Sequence, residues 1–261
     1  MQLMEKVLQE AYPHLQGLTV VDGVIGISFV GVQLSNGRSH FVYLMREAIP
    51  SGDMIFSYGR QMIGMAAWEV AEWALTGAED LQRGLGIAAL NAASPYYTAG
   101  NERTSKDFYA NIHADDTLGL IGYMPPVFQQ LGDRVKHIYC FDRAIDMQGT
   151  VEGAVVYPVS RQPELLPLCD KVIITGTTMI NHTTEHILSM CTKATDIVLS
   201  GFSLPYYPDA YLDSGLTALG TLSFNDKSHE LMKPISLGAG RELLRMYTIG
   251  QYIRLCPPLR R

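Results

Sequence analysis

The stretch that most constrains the fold of this chain is residues 171–184, KVIITGTTMINHTT. Val172 to Ile174 is a short β-branched run, which is typical of a strand buried on both faces. Gly176 ends the run, hydroxyl and amide side chains follow, and an amphipathic segment begins near Ile187. Ligands of open α/β sheets bind outside the carboxyl ends of such strands. The stretch therefore predicts an α/β sheet with a small-molecule site at this edge.

Composition narrows the class of protein. The chain has 261 residues, of which 47% are hydrophobic and 18% charged, and its formal net charge is −6. This length suits one large domain or two small ones, and the acidic balance disfavours a nucleic-acid partner. The N-terminus carries no basic segment followed by a long apolar run, and no apolar stretch is long enough to span a bilayer. We therefore expect a soluble, cytoplasmic protein with no membrane partner.

The four cysteines form no C-x-x-C pair, and a chain this long needs no disulfides to fold. We predict reduced and mostly buried thiols at Cys140, Cys169, Cys191 and Cys256.

The first 95 residues predict an α+β module. Apolar residues recur at helical spacing over residues 2–12, and Pro13 is expected to close that helix. Three β-rich runs follow, separated by Asp22-Gly23 and by Ser35-Asn36-Gly37, and they predict an antiparallel meander over Leu18–Val21, Val24–Leu34 and His40–Leu44. Two helices, over residues 62–75 and 79–92, complete the module, with Gly77 ending the first.

The rest of the chain predicts a second domain. Residues 96–116 are polar and irregular, which suggests a linker. Strand and helix patterns then alternate over residues 117–261, and a terminal helix is expected over residues 241–254. Such alternation with β-branched strands is typical of a doubly wound, mostly parallel, Rossmann-like sheet. The last strand is expected at residues 216–222.

Gly122 follows the first strand of this second domain, where a dinucleotide site would carry G-x-G-x-x-G. The later glycines are missing, and Tyr123, Met124 and Pro125 would crowd a pyrophosphate, so an ordinary NAD site is not expected. Asp142 lies twenty positions further on, where an acidic residue holds a ribose hydroxyl in such folds. A solvated carboxylate at the end of a strand explains Asp142 equally well. A nucleoside-bearing ligand such as S-adenosylmethionine remains open.

Residues 182–186 spell H-x-x-E-H, a pattern of zinc peptidases in which His182 and His186 share one helix face. Two solvent-facing histidines are the simpler interpretation, because a peptidase also needs a long helix and a distal acidic ligand. His113, near Asp115 and Asp116, is a further candidate for a metal or acid–base group. A polar linker explains those three residues as well.

Three further positions are candidates for ligand contact. Asn91 ends an apolar helix, where it is either a C-cap or an amide presented to the second domain. Gly201 and Ser203 follow another strand, so this strand also ends in a glycine and a hydroxyl side chain. The strand before Gly176 ends in the same kind of residues, Thr177 and Thr178, and the two strand ends are therefore expected to line one crevice. No base is visible beside Ser203, and a catalytic serine is not predicted.

Taken in order, these pieces resemble the DUF364 family, described as a "putative heavy-metal chelation" domain. The matching stretches are Ile87–Asn91, Leu118–Gly122 with Tyr123 and Pro126, Asp170–Asn181 with Thr183, Gly201–Ser203 with Pro208, and Gly215–Gly220. The resemblance covers nearly the whole chain. It implies an N-terminal module similar to the enolase N-terminal domain (DUF4213), followed by a Rossmann-like domain similar to methyltransferases.

The family resemblance also implies a cleft where the two modules meet, lined by Asn91, Gly122, Thr177, Asn181 and Ser203. The roles it suggests concern heavy-metal chelation, through making, hydrolysing or binding pterin-, flavin- or siderophore-like molecules. Our leading hypothesis is a protein that binds or acts on such a metabolite at the junction. There are two alternatives: a metal or metallophore carrier, and an S-adenosylmethionine-dependent enzyme. Under any of these hypotheses, the expected cofactor is a divalent heavy metal or a pterin-, flavin- or nucleoside-type ligand. A homodimer through the meander or its helices is a further expectation.

Overall fold

The computed structural model describes residues 2–49, 58–97, 109, 111–145, 149–151 and 154–255. Its N-terminal part (residues 2–97) contains a three-stranded antiparallel sheet in the order β1-β2-β3, with helices packed against it. The elements are α1 (Leu3–Leu15), β1 (Val20–Ile25), β2 (Phe29–Leu34), β3 (Ser39–Tyr43), α2 (Gly59–Met62), α3 (Ala67–Thr76) and α4 (Asp80–Ala93). The meander is confirmed, and Gly77 caps α3 by donating its backbone N–H to Trp73.

Three local predictions in this part are wrong. The helix expected over residues 62–75 begins only at Ala67, because residues 63–66 form a turn and Ala66 bridges to Thr19. Pro13 does not close α1, because the helix continues to Leu15, whose side chain is only 1% exposed and anchors the last turn in the core. Asp22-Gly23 is not a turn, since both residues lie inside β1 opposite Gln33 and Val32. A Cβ on Gly23 would lie 2.4 Å from the Met62 methyl, so the glycine serves close packing rather than chain reversal. Asn36-Gly37 does form the predicted turn, with Gly37 at φ +82°.

The C-terminal part (residues 109–255) is built on an eight-stranded sheet. Its strands are β4 (Thr117–Ile121), β5 (His137–Phe141), β6 (Gly149–Val151), β7 (Ala154–Tyr157), β8 (Lys171–Thr175), β9 (Asp196–Ser200), β10 (Ala218–Phe224) and β11 (Thr248–Arg254). Their order is β11-β10-β9-β8-β4-β5-β7-β6, and only the outer pairs β10–β11 and β6–β7 are antiparallel. The mixed α/β fold with a mostly parallel sheet is therefore confirmed.

Short helices connect these strands. They are α5 (Pro125–Leu131), α6 (Gln162–Leu165), α7 (Thr177–Ile180), α8 (Thr184–Met190), α9 (Met232–Ser236) and α10 (Arg241–Arg245). The predicted terminal helix over residues 241–254 is wrong beyond Arg245. Residues 248–254 instead pair with β10 along its whole length, so β10 is not the last strand.

The winding of this sheet reverses at β4. The chain leaves β4 for β5 on one side, and after β7 it returns to β8 on the other side of β4. Doubly wound sheets bind ligands outside the carboxyl ends of the strands at such a reversal. Gly122 follows β4 and Gly176 follows β8, so both lie at this point.

The two parts share one hydrophobic core, which joins α1, α3 and α4 to β8, β9 and the segment 204–211. Hydrogen bonds reinforce the contact: Tyr207 donates its hydroxyl to the Leu90 carbonyl at 2.7 Å, and Arg83 Nε donates to the Ile180 carbonyl at 2.7 Å. Of the predicted thiols, Cys140, Cys169 and Cys191 are free and buried, as expected, and Cys256 lies outside the described residues. None of the helices in the described ranges is long and apolar enough to cross a bilayer.

Most of the predicted linker, residues 96–116, falls outside the described residues. The part that is described includes Tyr97, which stacks on both His40 and Tyr206.

Candidate functional site

A cavity of about 940 Å³ lies along the carboxyl edge of the large sheet. β4, β5, β8 and β9 contribute residues at or directly after their carboxyl ends, and β10 and β11 contribute residues 220–222 and 250–252. The N-terminal part closes one side with residues 43–47, which are the last residue of β3 and the four that follow it. The cavity therefore lies where the two parts of the protein meet, beside the reversal of the sheet.

The centre of the cavity is formed by the segment that the sequence singled out. Thr177, Thr178 and Asn181 all line it. The Thr178 hydroxyl is held by the Thr175 carbonyl at 2.8 Å, and the side chain is 3% exposed, so it shapes the wall. Thr177 and Asn181 are only half-buried. Asn181 Oδ1 accepts from the Thr183 hydroxyl at 2.6 Å, and its amide N–H groups have no hydrogen-bonding partner among the described residues, so they are open to a ligand.

The end of the cavity beside β4 and β5 contains Gly122, Tyr123 and Asp142. Gly122 has φ +89°, and a Cβ there would lie 2.9 Å from the Thr175 methyl, so only glycine fits this turn. The Asp142 carboxylate accepts the backbone N–H groups of Tyr123 at 2.7 Å and Ala144 at 2.9 Å. These bonds fix the carboxylate at the end of β5, in the place where Rossmann-like folds hold a ribose hydroxyl.

The glycines after β8 and β9 act differently from each other. Gly201 lines the cavity, with φ +117° and its N–H donated to the Gly220 carbonyl at 2.9 Å. Gly176 does not line it. A Cβ on Gly176 would lie 2.5 Å from the Leu204 nitrogen, so this glycine lets the end of β8 pass beneath the segment 203–204. Ser203 also stays outside the cavity, because it is 1% exposed and its hydroxyl accepts the Tyr43 backbone N–H at 3.0 Å.

Asn91 is neither a C-cap nor part of the cavity lining. It lies within the last turn of α4, whose C-cap is Ser94, and its side chain is completely buried. Its amide donates to the Leu204 carbonyl at 2.9 Å and accepts the Tyr206 backbone N–H at 2.9 Å. Asn91 therefore joins the two parts of the protein across their interface.

His40 completes this buried interface. Burial lowers its pKa to about 3, so the ring is neutral, and its Nε2–H donates to the Phe202 carbonyl at 2.9 Å. The Asn91 amide nitrogen lies 3.2 Å from the same ring nitrogen, which is already a donor in this tautomer. Sequence inspection gave no reason to select His40.

The histidines proposed as metal ligands do not come together. His182 Nε2 donates to the Ala74 carbonyl at 2.8 Å and docks α3, with its own backbone at φ +56°. His186 is exposed and lines the cavity, whereas His113 is exposed and does not line it. No group of three or more His, Cys, Asp or Glu side chains in the described ranges is arranged to hold a metal ion.

The three buried thiols are protonated at neutral pH. Burial raises the pKa of Cys140 and of Cys169 to about 12, and that of Cys191 to about 11. The thiolate is the form that attacks electrophiles, so burial keeps these three thiols unreactive as nucleophiles at pH 7.

Sequence reasoning missed one end of the cavity entirely. Tyr43, Arg241, Arg245 and Gln251 line it beside β10 and β11. Burial raises the pKa of the Tyr43 hydroxyl, and the Arg241 guanidinium opposes that shift through its charge and a hydrogen bond. The sequence carried no signal for this end, because residues 241–254 were predicted as a continuous helix.

Comparison with protein families gives two matches. Residues 106–253 match the model of the DUF364 family, and residues 8–94 match that of DUF4213; both models are described as "Putative heavy-metal chelation". Among curated proteins, an uncharacterized protein of Methanocaldococcus jannaschii is 29% identical over 157 residues. That match covers 58% of this chain and 58% of the relative.

Two crystal structures of similar proteins share the fold. A DUF364-family protein of unknown function from Pyrococcus horikoshii has a TM-score of 0.77 at 23% identity, covering 97% of this chain and 100% of the other. A second, from Desulfitobacterium hafniense, has a TM-score of 0.74 at 16% identity, covering 96% and 99%. At these identities the likeness supports the fold alone.

Proposed function

This chain belongs to the DUF364 family, and from that premise we propose that it binds a small, planar, metal-chelating metabolite in the cavity between its two parts. The metabolite is pterin-, flavin- or siderophore-like. The protein contributes to heavy-metal chelation by catalysing the condensation or hydrolysis of this metabolite. The observation that carries this proposal is the position of the cavity at the reversal of a doubly wound sheet.

The lining of the cavity supports a planar ligand. It combines aromatic rings with a few hydrogen-bonding groups, which is the usual composition of a small-molecule site. The aromatic residues are Tyr43, Tyr109, Tyr123, Phe141, Phe202 and Tyr252. The volume of about 940 Å³ is near the upper end of the usual range of roughly 300–1,000 Å³. The site therefore has room for an extended ligand or for two small reactants.

The dimensions of the sheet point the same way. The cavity touches six neighbouring strands, from β5 to β11. Five steps of about 4.8 Å between strands give a length of about 24 Å. A condensation that joins two molecules would use such a length, with one reactant at Asp142 and the other near β10.

Two alternatives use the same cavity. In a carrier, the ligand would bring the metal, and the protein would bind the complex without chemistry. In a transferase, S-adenosylmethionine would place its ribose on Asp142, whose carboxylate is already fixed at the end of β5. Titration with S-adenosylmethionine tests the transferase, and absence of binding at millimolar ligand removes it.

The proposal is tested by identifying the co-purifying compound and measuring its affinity by calorimetry. We expect Asn181→Ala to weaken binding about tenfold, because one hydrogen bond to the ligand is lost. Asn111→Ala, an exposed asparagine outside the cavity, is the matched control. Equal affinity in the wild-type protein and Asn181→Ala would remove Asn181 from the site. Turnover of the compound separates an enzyme from a carrier.

A further inference from the structure

The described lining of the cavity carries more positive than negative side chains, in a chain that is negatively charged as a whole. Its described lining contains four arginines and two carboxylates, against a formal net charge of −6 for the full sequence. The arginines are Arg46, Arg143, Arg241 and Arg245, and the carboxylates are Glu47 and Asp142. A cleft of one sign concentrates ligands of the opposite sign.

Three of these arginines belong to the end of the cavity beside β10 and β11. Arg241 and Arg245 lie one turn apart on α10, and Arg46 lies three residues after Tyr43, in the segment that follows β3. The Tyr43 hydroxyl is near both arginines of α10, and Arg241 is within hydrogen-bonding reach of it. This hydroxyl remains protonated at neutral pH, because burial raises its pKa, and so it is also a donor to an anion.

The carboxylates nearby neutralise this end only in part. Glu47, which directly follows Arg46, is the lining carboxylate at this end and offsets one of the three arginine charges. Asp142 is at the other end of the cavity and already accepts two backbone N–H groups. Glu242 approaches Arg245 only at 3.7 Å, with side chains 80% and 49% exposed. An exposed ion pair of this kind contributes little. The guanidinium groups therefore keep most of their capacity for a ligand.

A buried amide at the same end lacks a partner. Gln251 lines the cavity and is 4% exposed; its Nε2 donates to the Ser223 hydroxyl at 3.1 Å. Its Oε1 has no hydrogen-bonding partner among the described residues. A buried polar atom without a partner is costly, and a ligand N–H or O–H at this place would remove that cost.

We propose that the end of the cavity formed by Tyr43, Arg241, Arg245 and Gln251 is a subsite for the anionic group of the ligand, a carboxylate or a phosphate. The arginines hold the anion, and Gln251 accepts a neighbouring N–H or O–H of the same molecule. This inference rests on the proposed function and adds to it the class of ligand: a metabolite with an acidic tail, whose planar part lies toward Thr177 and Tyr123.

The test uses two simple anions, inorganic phosphate and malonate, each titrated into the purified protein at constant ionic strength. The midpoint of thermal unfolding is the readout, because a ligand that binds only the folded state raises it. We expect at least one anion to raise the midpoint of the wild-type protein. The anion that acts distinguishes a phosphate-bearing from a carboxylate-bearing ligand.

Arginine variants locate the effect. We expect R241Q and R245Q each to weaken the effective anion about tenfold, because a charge-assisted hydrogen bond is lost. R134Q makes the same charge change at an exposed site outside the cavity and should behave as the wild type. Since Arg245 is exposed, R245Q folds normally even if R241Q does not.

The subsite is overturned if R245Q and the wild-type protein respond equally to the anion, or if neither anion acts. In the second case the proposed function is judged separately, by the affinity of the co-purified compound for Asn181→Ala. A compound that still binds in the cavity would then have no acidic group.

Discussion

Replacing Asn91 with alanine is expected to destabilise the protein by about 4 kcal/mol, because two buried backbone groups lose their partners. The Leu204 carbonyl and the Tyr206 N–H both bond to this side chain, which is 0% exposed. Each unsatisfied buried group costs about 1–3 kcal/mol. For a chain of this size, the loss corresponds to a decrease of about 10 °C in the unfolding midpoint.

The assay is urea unfolding followed by the fluorescence of Trp68 and Trp73, both in α3. Asn111→Ala serves as the control and should stay within about 0.5 kcal/mol of the wild type, since Asn111 is exposed. If Asn91→Ala were equally stable but bound the co-purified ligand more weakly, Asn91 would be a ligand-binding residue, and the structural role derived from its contacts would be wrong.

Two further predictions concern stability. In the unfolded chain His40 is protonated below about pH 6.5, whereas in the folded chain it is protonated only near pH 3. The unfolded state therefore binds more protons between these two pH values, and unfolding becomes more favourable as the pH falls. The free energy of unfolding lost in this way approaches about 5 kcal/mol at pH 3. His40→Gln should lose less stability than the wild-type protein when thermal unfolding is measured as a function of pH. Parallel curves of midpoint against pH for the two proteins would contradict a neutral buried ring. Gly176→Ala should cost about 1–3 kcal/mol in urea unfolding, because the new Cβ would lie 2.5 Å from the Leu204 nitrogen, whereas unchanged stability would show that the segment 203–204 can move.

The sequence predicted correctly those elements that are determined by neighbouring residues along the chain. The run at 172–174 forms the buried strand β8, and the Asn36-Gly37 turn joins β2 to β3. The error at residues 248–254 has a physical cause. This segment contains Thr248, Ile249 and Tyr252, whose side chains favour a strand. Its pairing with β10 then fixes the strand conformation. That pairing was not visible from the apolar spacing that suggested a helix.

The residues of the candidate site also fall into those that local sequence patterns could indicate and those that depend on contacts distant along the chain. Thr177 and Asn181 were predicted because a strand that ends in glycine and hydroxyl residues is typical of a binding edge, and both line the cavity. The buried contacts of Asn91 could not be predicted, because its partners lie 113 and 115 residues away along the chain. Arg241 was missed for a similar reason, since the Tyr43 hydroxyl beside it lies on β3, far away along the chain.

The central claim is that a small metabolite occupies the cavity, and its most direct test is mass spectrometry and metal analysis of the material released when the purified protein is denatured. Thr177→Trp is the comparison, because Thr177 is half-buried at the centre of the cavity and an indole there would obstruct the middle of the cavity. We predict a stoichiometric organic compound from the wild-type protein and none from Thr177→Trp. The same compound from both proteins, or a stoichiometric metal with no organic compound, would contradict the claim.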